Sequence, residues 1–125
     1  MKLIAIDHVQ LAMPAGQEAQ ARDFYTRVLG LPELQKPATL VGRGGAWFGH
    51  DGLEIHLGVE KDFAPARKAH PAFLVDDVKA VAARLRAAGF SVIEDDLLPG
   101  YDRFFTADPF GNRIEIMQPK ARPSP

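Results

Sequence analysis

The chain has 125 residues, 46% apolar and 25% charged, which suits one domain with a real core and excludes a compositionally disordered chain. Its net charge of −1, with Lys and Arg scattered, provides no basic stripe for nucleic acid, which leaves small molecules or proteins as partners. Without cysteine there are no disulfides, thiolate nucleophiles or Fe–S clusters, and any metal must be held by His and carboxylates.

The apolar start Met1 to Ile6 meets Asp7-His8 before it could make a signal-peptide core, and no run approaches membrane-spanning length. A cytoplasmic protein with no membrane partner is expected. Ile4 to Met13 alternates as a strand, with Val9, Leu11 and Met13 on one face and His8 and Gln10 on the other. Pro14-Ala15-Gly16 breaks it. Ala21, Phe24, Tyr25, Val28 and Leu29 then recur at helical spacing before Gly30, the expected residue just past a helix end. Short strands at Thr39–Val41 and Ala46–Phe48 are expected around a hairpin turn at Gly42-Arg43-Gly44-Gly45; no helix follows these glycines, so phosphate cradling is unsupported. After the Asp51-Gly52 turn, Leu53, Ile55, Leu57 and Val59 alternate with Glu54, His56, Gly58 and Glu60, which turns His56 away from the apolar side.

A polar connector from Lys61 to Ala69 leads into a strand over His70–Val75, with His70 opposite Pro71, Phe73 and Val75. Asp76 or Asp77 can cap a helix whose apolar face is Val78, Val81, Ala82, Leu85 and Ala88, ended by Gly89. Phe90–Glu94 reads as a strand, Asp95–Asp102 as an apolar loop and candidate lid, and Arg103–Ala107 as a further strand. Asp108-Pro109-Phe110-Gly111-Asn112 is a turn feeding a last strand in which Glu115 stands opposite Ile114 and Ile116. The proline-bearing tail from Pro119 to Pro125 should fray.

The order strand, helix, three strands thus occurs twice. Gly30 precedes His56 by the same interval as Gly89 precedes Glu115, and His8 and His70 open the two units, so His8 matches His70 and His56 matches Glu115. Units paired about a pseudo-twofold axis would bring the four residues to one cavity.

Three stretches in register resemble the vicinal-oxygen-chelate superfamily of glyoxalases, bleomycin resistance proteins and extradiol dioxygenases. They are Asp7-His8-Val9, Phe24-Tyr25 through Val28-Leu29-Gly30-Leu31, and Asp108 to Asn112 leading to Glu115. The resemblance implies an α+β fold of two paired βαβββ modules forming an eight-stranded, partly open barrel. In this chain it implies a single domain over 1–125, with module one about 1–60, connector 61–69, module two 70–118 and tail 119–125. It also implies a divalent metal (Zn, Ni, Co, Fe or Mn) on His8, His56, His70 and Glu115, and a homodimer.

The activity so implied is glyoxalase-like and metal-dependent: vicinal oxygens of a small substrate are chelated and an enediolate or oxyanion is stabilised, with Glu115 also exchanging protons. A lyase or isomerase not using glutathione is expected, since Leu11-Ala12-Met13 stands where a basic residue would help and Glu60 would repel an anionic tail. One alternative is a metal-free binding and resistance protein of the antibiotic-binding type, holding a planar molecule among Trp47, Tyr101, Phe105 and the Leu97-Leu98 loop. A second is a dioxygenase. Trp47, Tyr101, Arg103 and Phe105 are the candidate substrate-binding residues.

Overall fold

The computed structural model describes residues 1–121 and divides into two compact units, Met1–Ala66 and Arg67 onward. The strands form two four-stranded sheets, one in each unit, and the class is α+β. The first unit contains β1 (Val9–Met13), α1 (Glu18–Arg22) continuing as a wider π-helical segment (Asp23–Val28), β2 (Glu33–Leu34), β3 (Ala46–His50) and β4 (Leu53–Val59). The second contains β5 (Ala72–Leu74), α2 (Val78–Ala87), β6 (Ile93–Asp95), β7 (Tyr101–Ala107) and β8 (Arg113–Pro119). Their sheets have the same design: the orders are β1-β4-β3-β2 and β5-β8-β7-β6, with the first pair parallel and the others antiparallel.

In each unit, period-two alternation separates an apolar face, covered by the helix, from a polar one. Leu11, Met13, Ala46, Phe48, Ile55 and Leu57 are buried on the first sheet, with Ala21, Phe24, Tyr25 and Val28 of the helical segment. Tyr25 stacks on Phe48 at 5.3 Å between ring centres. On the second sheet Phe73, Phe104, Ile114 and Ile116 are buried with Val78, Ala82 and Leu85 of α2. Each of the Val, Leu, Ile, Phe and Met side chains among them contributes roughly 1.5 to 3 kcal/mol by leaving water. Asp77 caps α2, its carboxylate accepting from the Ala80 amide at 3.0 Å. Gln118 on β8 ties the helix start to the sheet, accepting from the Val78 amide at 2.9 Å and donating to the Asp76 carbonyl at 2.7 Å.

Several expected boundaries move, for reasons visible in the pairing. The first strand begins at Val9 rather than Ile4, because Val9 pairs Ile55 and the same register would set Ile6 against Gly52, in the turn. Thr39–Val41 is not a strand. Instead Glu33–Leu34 pairs Phe48–Trp47, and Val41–Arg43 makes a 3-10 turn. The chain then passes so close to β4 that a Cβ on Gly45 would lie 2.1 Å from the Leu57 carbonyl oxygen, at a φ of +80°. Phe90 does not start β6, because its amide closes the end of α2 on the Leu85 carbonyl at 2.9 Å. The strand expected over His70–Val75 shortens to Ala72–Leu74, and the candidate lid is a short connection between β6 and β7, with Asp95 accepting from the Leu97 amide at 2.9 Å. Pro119 is held in β8, and the tail beyond 121 lies outside the described residues.

The turn before β8 is organised by a buried carboxylate. Asp108 Oδ1 accepts from the Phe110 and Asn112 amides, each at 2.9 Å, and Oδ2 accepts from Asn112 Nδ2 at 3.0 Å. Asp108→Ala would strand these donors away from water and should lower the unfolding free energy by about 2 to 4 kcal/mol. Urea denaturation should show this as a lower midpoint, with Asp108→Asn falling between the two because it keeps one acceptor oxygen.

Candidate functional site

The polar faces of the two sheets carry the candidate residues, and each unit brings its own pair together. In the first, the register places Gln10, His56 and Trp47 side by side across β1, β4 and β3. His56 is sandwiched: the Trp47 ring lies 3.8 Å away, parallel to within 1°, and the His8 ring packs on it at 4.0 Å. His56 is buried, and its Nε2 meets Glu54 Oε1 at 3.2 Å. His8, just ahead of β1, is exposed and directs Nδ1 at the Asp7 carboxylate, 2.9 Å away.

In the second unit, Glu115 pairs Ala72 and Phe105 across β8, β5 and β7, and it is buried. Its Oε1 is 3.0 Å from His70 Nε2, and its Oε2 accepts from Arg103 Nη1 at 3.1 Å. Arg103 also donates from Nε and Nη2 to Asp95 Oδ1, at 3.1 and 2.9 Å. Phe105 packs edge-on against His70, and the guanidinium of Arg113 lies 4.0 Å from its ring centre. Arg113 therefore belongs to this face. Tyr101, expected among the aromatic contacts, instead lines a groove of about 790 Å³ beside α2, together with Arg103.

Charge in the second unit is organised around Arg103. Burial pushes the Glu115 carboxyl up, but the bonds from His70 and Arg103 outweigh it and hold the group below its ordinary value. Asp95 is lowered as well, first by the Leu97 amide and then by Arg103. The Arg103 guanidinium is raised, by Asp95 first and then Glu115.

His70 shows how this face suits a cation. Its Nδ1 lies 2.8 Å from the Lys68 carbonyl oxygen, which can only accept, so Nδ1 carries a proton. In neutral His70 the Nε2 lone pair then faces the ionised Glu115 oxygen, and two acceptors at that distance need a positive centre between them. A proton serves, and so does a metal ion: 3.0 Å is also the spacing of neighbouring ligands at right angles around an ion with bonds of about 2.1 Å. A ligating histidine with its other ring nitrogen held by a carbonyl or carboxylate is the usual supporting arrangement, and His8 with Asp7 repeats it. Among the described residues no three His, Asp or Glu are grouped as a ready-made cage; the donors stand as the two pairs. The donor chemistry fits a divalent ion. Asp7 and Asp95 support these side chains, a role that neither residue's place in the sequence pattern indicates, although Asp7 stands next to His8.

The lowered carboxylates set the acid response. Both contribute stability that is fully present above their unfolded values, near pH 4, and is lost as pH falls through the lower folded ones. Arg103→Met removes a lowering partner from each. Urea melts from pH 7 to pH 2.5 should show the variant less stable than the parent at neutral pH, with the gap closing as both carboxylates take up protons.

Comparison with known proteins follows this geometry. Residues 5–116 match the family model described as Glyoxalase/Bleomycin resistance protein/Dioxygenase superfamily. The curated protein "Glyoxylase I 4" of Arabidopsis thaliana is 28% identical, over 93% of this chain and 71% of its own length. A solved structure from Bacillus anthracis, named for the glyoxalase family, is 47% identical with a TM-score of 0.92, covering 96% of this chain and 98% of that one. An antibiotic binding protein from a Streptomyces species is 27% identical with a TM-score of 0.67, covering 94% of this chain and 100% of that one. The fosfomycin resistance protein FosX from Listeria monocytogenes shares the fold alone, at 15% identity and a TM-score of 0.74 over 95% of this chain and 96% of that one. With nearly its whole length matched by the family model and the module design repeated in both units, the chain belongs to the glyoxalase/bleomycin resistance protein/dioxygenase superfamily.

Proposed function

We propose that this protein is a divalent-metal-dependent lyase or isomerase acting on a small molecule with two adjacent oxygens, and that it does not use glutathione. The observation that carries this reading is the facing pair of His70 Nε2 and Glu115 Oε1, with His70 held in place by the Lys68 carbonyl. The ligand set we propose is His8 and His56 from the first unit and His70 and Glu115 from the second. A bound divalent ion would supply Lewis-acid stabilisation of charge developing on the substrate oxygens.

The chain's own residues supply the rest. Arg103 keeps Glu115 ionised and fixes its second oxygen, so that Glu115 can receive a proton from substrate and return it. Phe105, framed by Arg103 and Arg113, makes an apolar wall beside that carboxylate. On the first sheet Trp47 holds His56 flat and presents an aromatic surface to substrate. Ala12, on the same side of β1, offers no donor to a glutathione carboxylate. A second reading, a metal-free protein that binds a planar molecule, is favoured by the continuous ring stack of His8, His56 and Trp47. A homodimer is proposed as well, because Leu74 and Ile93 stand 68% and 64% exposed on the polar side of the second sheet.

Protein purified without a histidine tag should retain a divalent metal, and chelation should lower its thermal midpoint reversibly. Glu115→Gln and His70→Ala should each weaken metal affinity by about tenfold or more with the fold intact. Parent-like affinity in both would leave the binding-protein reading. Sedimentation at micromolar concentration should show a dimer, and a monomer throughout would remove that part.

A further inference from the structure

We infer that a pocket in the first unit, built by Gln10, Lys36 and Arg43 around Trp47, is a subsite for one anionic group of the substrate. The inference rests on the proposed small-molecule site, because Trp47 lines this pocket and also stacks on His56. The pocket encloses about 210 Å³. That is below the roughly 300 Å³ at which whole-ligand pockets begin, so it suits an arm of a molecule and not a tripeptide.

Its lining is one-sided in charge: Lys36 and Arg43 are cations, Gln10 is an amide, and no Asp or Glu takes part. Gln10 is the cross-strand partner of His56 and so faces the same side of the sheet. Its side chain lies across Gly58, where a Cβ would come within 2.6 Å of the amide nitrogen. Only glycine at that position leaves the amide this path. Neither the Gln10 amide nor the Arg43 guanidinium has a side-chain or carbonyl partner among the described residues. Lys36 is half-buried and donates to the Gly44 carbonyl, which holds its ammonium in place and leaves further N–H bonds for a ligand.

An ammonium, a guanidinium fork and an amide around one small space match a carboxylate or phosphate. The indole beside them takes the flat or apolar part that carries it. The stretch around Gly42 that reads as a hairpin turn in the sequence is thus a 3-10 turn that delivers Arg43 to this pocket.

The chain has a single tryptophan, so intrinsic fluorescence reports on this pocket directly. The full chain would be titrated with phenylacetate, phenyl phosphate and neutral benzyl alcohol, with zinc present and after chelation. A saturable change with one or both anions and none with the alcohol is expected, and the stronger anion names the carboxylate or phosphate source. Arg43→Gln and Lys36→Gln should each weaken the anion by about tenfold or more, with circular dichroism unchanged. Equal saturation by benzyl alcohol, no saturation by either anion with or without zinc, or parent-like affinity in both variants would overturn the subsite. Glu115→Gln separates the two proposals: lost metal retention with an unchanged anion titration supports the subsite independently. An anion titration that fails while metal is retained refutes the subsite and leaves the metal reading standing.

Discussion

The second unit depends on one buried carboxylate. Asp108 accepts from two backbone amides and the Asn112 side chain, and in doing so closes the turn that launches β8. Because side chains alternate, the residue at which β8 starts decides which of them meet α2 and which meet the polar side. A slip of one position would drive Glu115 into the apolar layer and bring Ile114 and Ile116 out of it. The turn therefore does more than connect strands: it determines on which side of the sheet Glu115 stands.

The same sheet design places different chemistry in the two units. In the first, the polar side is a stack of rings, with His56 flat between Trp47 and His8. Flat stacking restrains a ring's plane while leaving its nitrogens at the edge. In the second, His70 is held by its edge, through the Lys68 carbonyl and Glu115. Edge bonding to the Lys68 carbonyl puts a proton on Nδ1 and leaves Nε2 facing Glu115, with room for one cation between them. Each mode restrains a ring within its own unit, the first by its plane and the second by its edge.

Arg103 links the buried carboxylate to the rest of its unit. Burying Glu115 against apolar neighbours opposes its charge, and the guanidinium reverses that by bonding Glu115 on one side and Asp95 on the other. Asp95 closes the β6–β7 connection as well, so the short loop and the carboxylate are held by one network. Loop position and site charge are thereby coupled in a way that sequence spacing alone does not reveal.

Much of this was legible from residue order. Alternation identified the polar positions of His56 and Glu115, the paired glycines marked both helix ends, and the equal spacing of repeats matched the two modules, because these features depend on local geometry with periods of two and 3.6. Strand limits were not legible at Ile4 or Thr39, since whether an extended segment becomes a strand depends on what lies beside it: Ile6 would meet a turn, and β3 found Glu33–Leu34 instead. Nor could order show that Arg43 and Lys36 share a pocket with Gln10, or that Asp95 and Glu115 share Arg103, because those groups come from separate strands and turns. The sequence by itself determined the repeat, the family and which ionisable side chains stand on the polar side of each strand. Only the tertiary structure decided which of them meet, because a hydrogen bond or ring stack needs atoms within a few ångströms, and chain folding sets that distance.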